Sequence, residues 1–221
     1  MRRWVEAVEE SAKLYSPIGL RLVDDLTGSA PLGRIEVLLD VKDPQGQWID
    51  THRAPVITAS SIVAYPGLER RARIDGAGAV RYRVRIKPEF YIPFYRMTDD
   101  AIERDAYPYN DTNPPAQVKH VPDDVVLTPA PNYPFEKHIP VLHGLVTDAA
   151  NSPVAFVHVK QGAKERVLTD ERGTFSLPLR WIKPGDNFQV DAINERNGQH
   201  GTSPNLKLPD ALKNVLKIQI N

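Results

Sequence analysis

The first residues have the periodicity of an amphipathic helix. Apolar side chains recur at spacings of three and four and therefore share one face: Trp4, Val5, Val8, Ala12 and Tyr15. Acidic and basic side chains occupy the other face, and Ser16-Pro17 ends the pattern because proline disfavours helical geometry in the residue before it. The pattern predicts a short N-terminal helix over residues 1–16. Its apolar face packs either on the chain's own domain or on a partner protein, since so short a helix is marginal alone.

Residues 17–96 change to the period-two alternation that is typical of β-strands. The clearest case is residues 79–87, where an apolar row and a basic row alternate. One face of that strand carries Val80, Tyr82, Val84 and Ile86 towards a core, and the other carries Arg81, Arg83, Arg85 and Lys87 towards solvent or a partner. Short strands separated by turn residues about every ten positions favour an antiparallel β-sandwich here.

Residues 97–140 interrupt the strand pattern. Eight of the 20 prolines lie in this segment, and proline removes backbone donors and favours extended polyproline geometry. Aromatic residues lie among them: Tyr107, Tyr109, Tyr133 and Phe135. We therefore expect a semi-rigid connector outside the sheets, held by its aromatic side chains against a domain surface.

From residue 141 the strands resume and continue to the end of the chain. Thr169-Asp170-Glu171-Arg172-Gly173 predicts a hairpin turn in which the aspartate accepts backbone hydrogen bonds and the glycine adopts a positive φ. Phe175 and Leu177 then enter the core on alternate positions. The sequence thus predicts an all-β fold with two antiparallel β-sandwich domains, at 17–96 and 141–221, joined by the Pro-rich connector.

The C-terminal part resembles the carboxypeptidase regulatory-like domain. The matching residues are Gly144, Val146, Asp148, Pro153, Val157, Val159, Thr169, Asp170, Gly173, Phe175, Leu177, Pro184 and Gly185. The resemblance covers about residues 140–221 and implies a seven-stranded, transthyretin-like or immunoglobulin-like sandwich of a kind that usually occurs as a non-catalytic appendage. Phe156 departs from the pattern, because the family often has a small residue near that position.

The order of the whole chain is similar to that of accessory proteins of phage-tail-like contractile injection systems. The similarity consists of a leading sandwich, the segment 126–135 with the sequence VLTPAPNYPF, and the C-terminal module. It implies a protein that is synthesised in the cytoplasm and incorporated into a phage-tail-like particle. Its partners would be the other protein subunits of a multi-protein assembly, and a homo-oligomer is compatible with this interpretation.

The amino-acid composition argues against several other classes of protein. The chain of 221 residues has 28 basic and 28 acidic side chains and no cysteine, which argues against a disulfide scaffold, a zinc ribbon and a thiolate nucleophile. A balanced charge argues against a nucleic-acid-binding protein. No apolar run approaches the roughly 20 residues that a membrane helix needs, and Glu6, Glu9 and Glu10 interrupt the stretch where a signal peptide would be apolar.

Candidate catalytic chemistry is sparse. Ring-cleaving dioxygenases share the resembled sandwich but need two Tyr and two His at their iron, whereas this chain has only His200 and no Tyr after Gly173. His138 and His143 lack a carboxylate at ligand spacing, and His143 and His158 are expected on the outer face of neighbouring strands, exposed to solvent. The sequence therefore predicts no enzyme activity, no cofactor and no metal.

The favoured interpretation is a non-catalytic structural or adaptor protein in a larger bacterial assembly. The expected partner-binding residues are Trp4, Val5 and Val8 on the helix and Arg81, Arg83 and Arg85 on the basic strand. Solvation, or pairing with acidic groups of a neighbouring subunit, suits the arginines better than nucleic acid, because Tyr82 points away from them. The alternative is a carbohydrate- or peptide-binding module that uses Trp48, Tyr109 or Trp181.

Overall fold

The computed structural model describes residues 14–74, 78–115 and 121–221. The predicted N-terminal helix lies outside these ranges except for residues 14–16, which are not helical. The strands up to residue 129 are β1 (Gly19–Asp24), β2 (Ile35–Lys42), β3 (Trp48–Asp50), β4 (Val56–Ile57), β5 (Ile62–Ala64), β6 (Val80–Pro88), β7 (Tyr91–Pro93), β8 (Ile102–Ala106) and β9 (Asp123–Pro129). A single 3₁₀ turn, Phe94–Met97, follows β7.

These nine strands form the first sandwich. One sheet has the order β4-β5-β1-β9-β7 and the other the order β3-β2-β6-β8. The predicted alternation along residues 79–87 is confirmed, because Tyr82, Val84 and Ile86 of β6 are buried while Arg81 and Lys87 are exposed. Apolar side chains from both sheets form one core between them, which includes Leu20, Leu22, Leu39, Val63, Tyr65, Val84 and Leu127.

The prediction that residues 97–140 lie outside the sheets is wrong for two of its segments. Strand β8 pairs with β6, and β9 is an interior strand of its sheet, between β1 and β7. The prolines of β9 do not prevent this, because Pro122 and Pro129 stand before and at the end of the strand, where no ladder donor is lost from its middle. The first sandwich therefore extends to residue 129 rather than 96.

The aromatic residues of the same segment differ in their burial. Tyr133 is 8% exposed, and its hydroxyl donates to the buried Asp24 at 3.0 Å. Tyr109 is 1% exposed and contacts the Tyr15 ring edge to face. Tyr107 is 67% exposed. Two of the three tyrosines thus belong to the body of the first sandwich.

The remaining strands form the second sandwich. They are β10 (Val141–Thr147), β11 (His158–Gln161), β12 (Glu165–Leu168), β13 (Thr174–Pro178), β14 (Asn187–Phe188), β15 (Asp191–Ile193), β16 (His200–Thr202), β17 (Leu206–Lys207) and β18 (Leu216–Gln219), with a 3₁₀ turn at Asp210–Lys213. Sheets β13-β10-β18 and β12-β11-β15-β16 enclose a second core, and β14 and β17 form a separate two-stranded ribbon.

Local sequence signals account for the central hairpin of this sandwich. Oδ1 of Asp170 accepts from the backbone nitrogens of Arg172 and Thr174 at 2.9 and 2.8 Å, and Gly173 has a φ of 72°. Phe175 then packs over Gly144, where an added Cβ would lie only 2.1 Å from the ring. The predicted turn is confirmed, and the glycine at 144 is explained by the space that the phenyl ring occupies.

The all-β fold class is confirmed. Each sandwich departs from a purely antiparallel arrangement at one place, since β1 pairs in parallel with β9 and β10 pairs in parallel with β18. The other pairings between the named strands are antiparallel.

Candidate functional site

The three arginines of β6 lie together on the outer face of the sheet β3-β2-β6-β8, as the alternation predicts. They do not form an open basic surface. Arg81 bridges Glu103 and Asp105 of β8, with both contacts at 2.9 Å. Arg83 and Arg85 both bind the carboxylate of Asp40 on β2, at 2.6 and 2.8 Å. Their charges are therefore already paired within the sheet.

Asp40 is the centre of this arrangement, with a side chain only 2% exposed. Burial alone would raise the pKa of Asp40, but hydrogen bonds and charge attraction from Arg85 and Arg83 outweigh burial and hold the pKa below its ordinary value. The same hydrogen bond raises the pKa of Arg85. The carboxylate and its two guanidinium groups thus stay ionised together.

The registers of the four strands place five basic and five acidic side chains on this face. The basic members are Lys42, Arg81, Arg83, Arg85 and Lys87, and the acidic members are Glu36, Asp40, Asp50, Glu103 and Asp105. This face therefore carries balanced charge rather than a basic surface. The sequence left solvation and pairing with a neighbouring subunit as alternatives for the three arginines, and the structure pairs them within the chain, with acidic groups of β2 and β8.

The aromatic candidates for ligand stacking are differently placed. Trp48 is partly covered by Arg83 and Lys42, whose charged groups lie 4.9 and 5.4 Å from its ring centre. Tyr109 is buried, which removes it as a stacking residue. Trp181 is 58% exposed, and the Lys164 ammonium lies 4.6 Å from its ring centre. Trp181 alone of these three presents a large free surface.

The other predicted contact residues, Trp4, Val5 and Val8, lie outside the described residues. The point at which their segment joins the first sandwich is described. The backbone oxygen of Tyr15 accepts from Gly67 N at 2.8 Å and from the Tyr109 hydroxyl at 3.2 Å. Tyr15, near the start of the described residues, therefore lies beside the turn that follows β5.

The structure brings together a second set of residues at the contact between the two sandwiches, which the sequence did not predict as a site. Its apolar part is a small cluster of buried residues, Ile92 and Ala130 from the first sandwich and Leu168 from the second. Phe94, Met97 and Phe156 pack around them. We call this contact, together with the polar groups around it, the domain interface.

Arginine side chains form polar contacts around the apolar part of the domain interface. Arg166 of β12 donates through Nε and Nη2 to both carboxylate oxygens of Asp25, each at 2.9 Å. Its guanidinium also lies 4.3 Å from the Phe94 ring centre. The hydrogen bonds to Asp25 raise the pKa of Arg166. Bidentate geometry fixes both distance and orientation, so this pair sets how the two sandwiches meet.

Two more arginines of the second sandwich reach the first. Arg180 donates to the Leu26 carbonyl at 2.7 Å while it holds Glu165, whose side chain is 2% exposed. Arg196 donates to Asp100 at 2.8 Å and to the Arg96 carbonyl at 3.0 Å. The hydrogen bond from Arg196 lowers the pKa of Asp100. A cleft of about 250 Å³, lined by both sandwiches, lies beside Arg166 and Arg180.

The structure shows a role for the large side chain of Phe156, at a position where the resembled family often has a small residue. Phe156 has a φ of 57°, a region that costs a bulky L-residue roughly 1–2 kcal/mol. Its ring lies under the Arg96 guanidinium of the first sandwich, 4.0 Å from ring centre to Cζ. The large side chain therefore serves contact between the sandwiches rather than packing within the second one.

The expectation that His158 is exposed to solvent is wrong. Its side chain is 14% exposed, and its ring packs edge to face on Phe94 with 5.3 Å between centres. His143, in contrast, is exposed and bonds Ser176 at 2.9 Å. The two histidines also lie in different sheets, because β10 and β11 do not pair.

Within the three described ranges, no group of three or more His, Asp or Glu side chains is arranged to hold a metal ion. Over the same ranges, no helix is long and apolar enough to cross a membrane.

Comparisons with known proteins give distant similarities. No family model matches the chain, and no curated protein matches it. Among solved structures it is similar to the Bacillus anthracis TIE protein, with 11% identity and a TM-score of 0.30 over 94% of this chain and 33% of that one. It is also similar to BcpA*(D312A), the major pilin subunit of Bacillus cereus, with 10% identity and a TM-score of 0.27 over 94% of this chain and 70% of that one. The chain thus spans about a third of the TIE protein, and neither similarity is close enough to support an argument about function.

Proposed function

We propose that the chain is a non-catalytic structural or adaptor protein that joins protein subunits in a larger bacterial assembly. The domain interface carries the proposal. An apolar cluster, a bidentate Arg–Asp pair and two further arginine contacts hold the sandwiches in one orientation. A protein built in this way keeps a fixed distance between its two ends, which suits a spacer between other subunits.

Exposed apolar side chains supply contact surfaces on both sandwiches. Ile49, Val56 and Ile57 are about half exposed, at 51%, 52% and 46%, on the edge strands β3 and β4 of the first. Val215 is 63% exposed before β18 of the second. Large exposed apolar side chains at strand edges are typical of surfaces that a partner covers.

The partner-binding segment of the proposal is residues 1–13, with Trp4, Val5 and Val8 as contacts. Arg81, Arg83 and Arg85 are assigned to internal ion pairing instead, because a partner acid would have to displace Asp40 or Glu103. The particle context is a phage-tail-like contractile injection system, a proposal that rests on the order of sandwich, VLTPAPNYPF segment and C-terminal module.

Co-purification from the native organism tests this function. A tagged wild-type chain should retain specific subunits, Trp4→Glu should lose them, and Arg81→Ala should keep them. Arg81 is a suitable control because its side chain is 43% exposed and its ion pairs lie at the surface, where solvent screening makes such pairs weak. Retention of the subunits by Trp4→Glu, or their loss in Arg81→Ala, contradicts the proposed contacts.

Trp181 favours one alternative, a carbohydrate- or peptide-binding module. Its exposed ring beside Lys164 offers a stacking surface with an adjacent cation. A glycan or peptide array that binds the wild-type chain and loses binding with Trp181→Ala would favour this alternative over the structural role.

A further inference from the structure

His158 occupies an unusual position in the domain interface. It begins β11 of the second sandwich, and its imidazole meets the phenyl ring of Phe94 from the first sandwich at an interplanar angle of 85°. Its Nε2 is buried and makes no hydrogen bond to any described residue. Nδ1 lies 3.5 Å from Oε1 of Glu195. A neutral ring fits this site, because a protonated ring would place a second N–H donor where no described group accepts it.

The charged groups around the ring come from every element packed against it, and most are cations. Arg166 of β12, the strand that pairs with β11, lies over the same Phe94 ring. Lys160 follows on β11 itself, and Arg96 of the 3₁₀ turn lies over the neighbouring Phe156 ring. Arg196, beside Glu195, is held by Asp100. Glu195 is the one acidic group in contact with the imidazole among the described residues.

We propose that His158 is an acid-sensitive latch, which holds the two sandwiches together when neutral and releases them when it is protonated. Protonation adds a buried positive charge beside Lys160 and Arg166, both of which disfavour the charged ring. It also leaves Nε2–H without an acceptor while the sandwiches remain in contact. Separation of the sandwiches withdraws the Phe94 ring and exposes the imidazolium to water, while Lys160 and Arg166 stay with His158 on the second sandwich. The latch goes beyond the proposed structural function, because it makes the spacing of the two ends dependent on pH.

The direction of the pH effect follows from the same environment. Burial lowers the pKa of His158 from its ordinary value of 6.5, and Lys160 and Arg166 act in the same direction, while Glu195 opposes them. The closed arrangement is therefore fully favoured above pH 6.5 and weakens as the pH falls through the lowered value. The ratio of open to closed molecules rises up to tenfold for each pH unit in that window.

The Asp100 carboxylate of the domain interface does not titrate in the same window. Arg196 lowers the pKa of Asp100 below its ordinary value of 3.8, so that ion pair persists at pH 5. Opening between pH 6.5 and 5 therefore reports on His158 rather than on loss of the Arg196–Asp100 pair.

Fluorescence energy transfer between the sandwiches tests the latch. The chain has no cysteine, so Ser60→Cys and Asn214→Cys, both at exposed positions, place one dye on each sandwich of the full chain. Transfer efficiency should fall between pH 7.5 and 5.0 in the otherwise wild-type protein. The fall should also occur in His200→Gln, a matched control in which an exposed histidine of the same sandwich is replaced. It should be absent in His158→Gln.

Constant efficiency in the wild-type background overturns the proposal, and so does an equal fall in His158→Gln. A His158→Gln protein that is already open at pH 7.5 would not decide the matter. Proton NMR of the wild-type imidazole then does so, because the His158 resonance must titrate below 6.5 and over the same pH range as the opening. Titration of that resonance at 6.5 or above, with the sandwiches still closed, also overturns it.

Discussion

The bidentate pair between Asp25 and Arg166 allows the strength of the domain interface to be measured. We expect Asp25→Ala and Arg166→Ala, combined in a double-mutant cycle, to show a favourable coupling energy between the sandwiches. The chain offers a matched control in Arg21 and Asp124, which form an equally bidentate pair with both contacts at 2.7 Å. That pair joins two strands of one sheet and does not cross the domain interface.

The expected magnitudes differ because the two pairs differ in exposure. The side chains of Arg21 and Asp124 are 52% and 49% exposed, so solvent screens their attraction and their coupling energy should be small. Asp25 is 20% exposed and Arg166 is 39% exposed. Hydrogen bonds to charged groups contribute about 1.5–3 kcal/mol when buried. After allowance for solvent screening of Arg166, the coupling energy should be about 1–2 kcal/mol.

Single-tryptophan variants can report on each sandwich separately during urea unfolding. Two of the three tryptophans suit this purpose, because Trp48 lies on β3 of the first sandwich and Trp181 follows β13 of the second. The remaining tryptophans are replaced by phenylalanine in each reporter. With a urea slope of about 1–3 kcal/mol per molar, loss of the pair should move the midpoint of both reporters by roughly 0.3–2 M.

Two results would refute this reasoning. Equal coupling energies for the interface pair and the control pair would mean that the contact between sandwiches adds nothing beyond a surface ion pair. A shift of the Trp48 midpoint alone, after Asp25→Ala, would mean that the second sandwich unfolds independently and that the domain interface does not couple them.

Three further substitutions or conditions have directions fixed by local structure. Gly144→Ala should destabilise the second sandwich by about 1–3 kcal/mol in urea unfolding, because the new Cβ meets the Phe175 ring, whereas Gly78→Ala, with open space around its Cα, should be neutral. Asp40→Asn should cost about 3–5 kcal/mol in thermal or urea unfolding, since it leaves two partly buried guanidinium groups without their counter-charge, and a loss under 1 kcal/mol would show that water replaces the carboxylate. Burial raises the pKa of Tyr65 from 10.0 to about 12. The contribution of the neutral side chain to folding stability is therefore complete below pH 10 and is lost as the pH rises towards 12. Ultraviolet titration should show Tyr65 ionising well above pH 10, and ionisation at pH 10 in the folded protein would contradict its burial.

Sequence periodicity was sufficient to predict which side chains are buried, where one face of a strand is buried and the other is exposed. The alternation along β6 predicted both the buried row and the outward arginines, because a one-residue shift in register would reverse every side chain. The Asp170 turn was equally predictable, since its hydrogen bonds are local. The all-β class therefore follows from patterns within about ten residues of each other.

The partners of those outward arginines could not be read from the sequence. Arg83 and Arg85 meet Asp40, more than 40 positions away, and only the register of β2 against β6 brings them together. The density of prolines led to the wrong prediction that residues 97–140 lie outside the sheets, for a similar reason. It described residues 97–140 correctly as rich in backbone interruptions, but Pro122 and Pro129 flank a strand whose pairing partner, β1, begins about a hundred residues earlier.

The domain interface was the largest omission, and one signal for it was present. Phe156 replaces a residue that is often small in the resembled family, and the structure shows its ring under Arg96 of the other sandwich. Asp25, Arg166 and Arg180 carried no such signal, because charged residues next to turns are normally solvated. An unusual large apolar residue at a turn thus indicates a contact surface more reliably than a charged one.

The parallel pairing of β1 with β9 also constrains how the chain is made. Leu20 lies opposite Asp123, so a ribosome must synthesise more than half of the protein before β1, which pairs with β5 on one side, gains its neighbour on the other. Until then that edge of β1 is unpaired, and a nascent chain ending near residue 96 would leave it open to pairing with other chains. Expression fragments of the first sandwich should therefore continue past residue 135, so that β9 and Tyr133 are included.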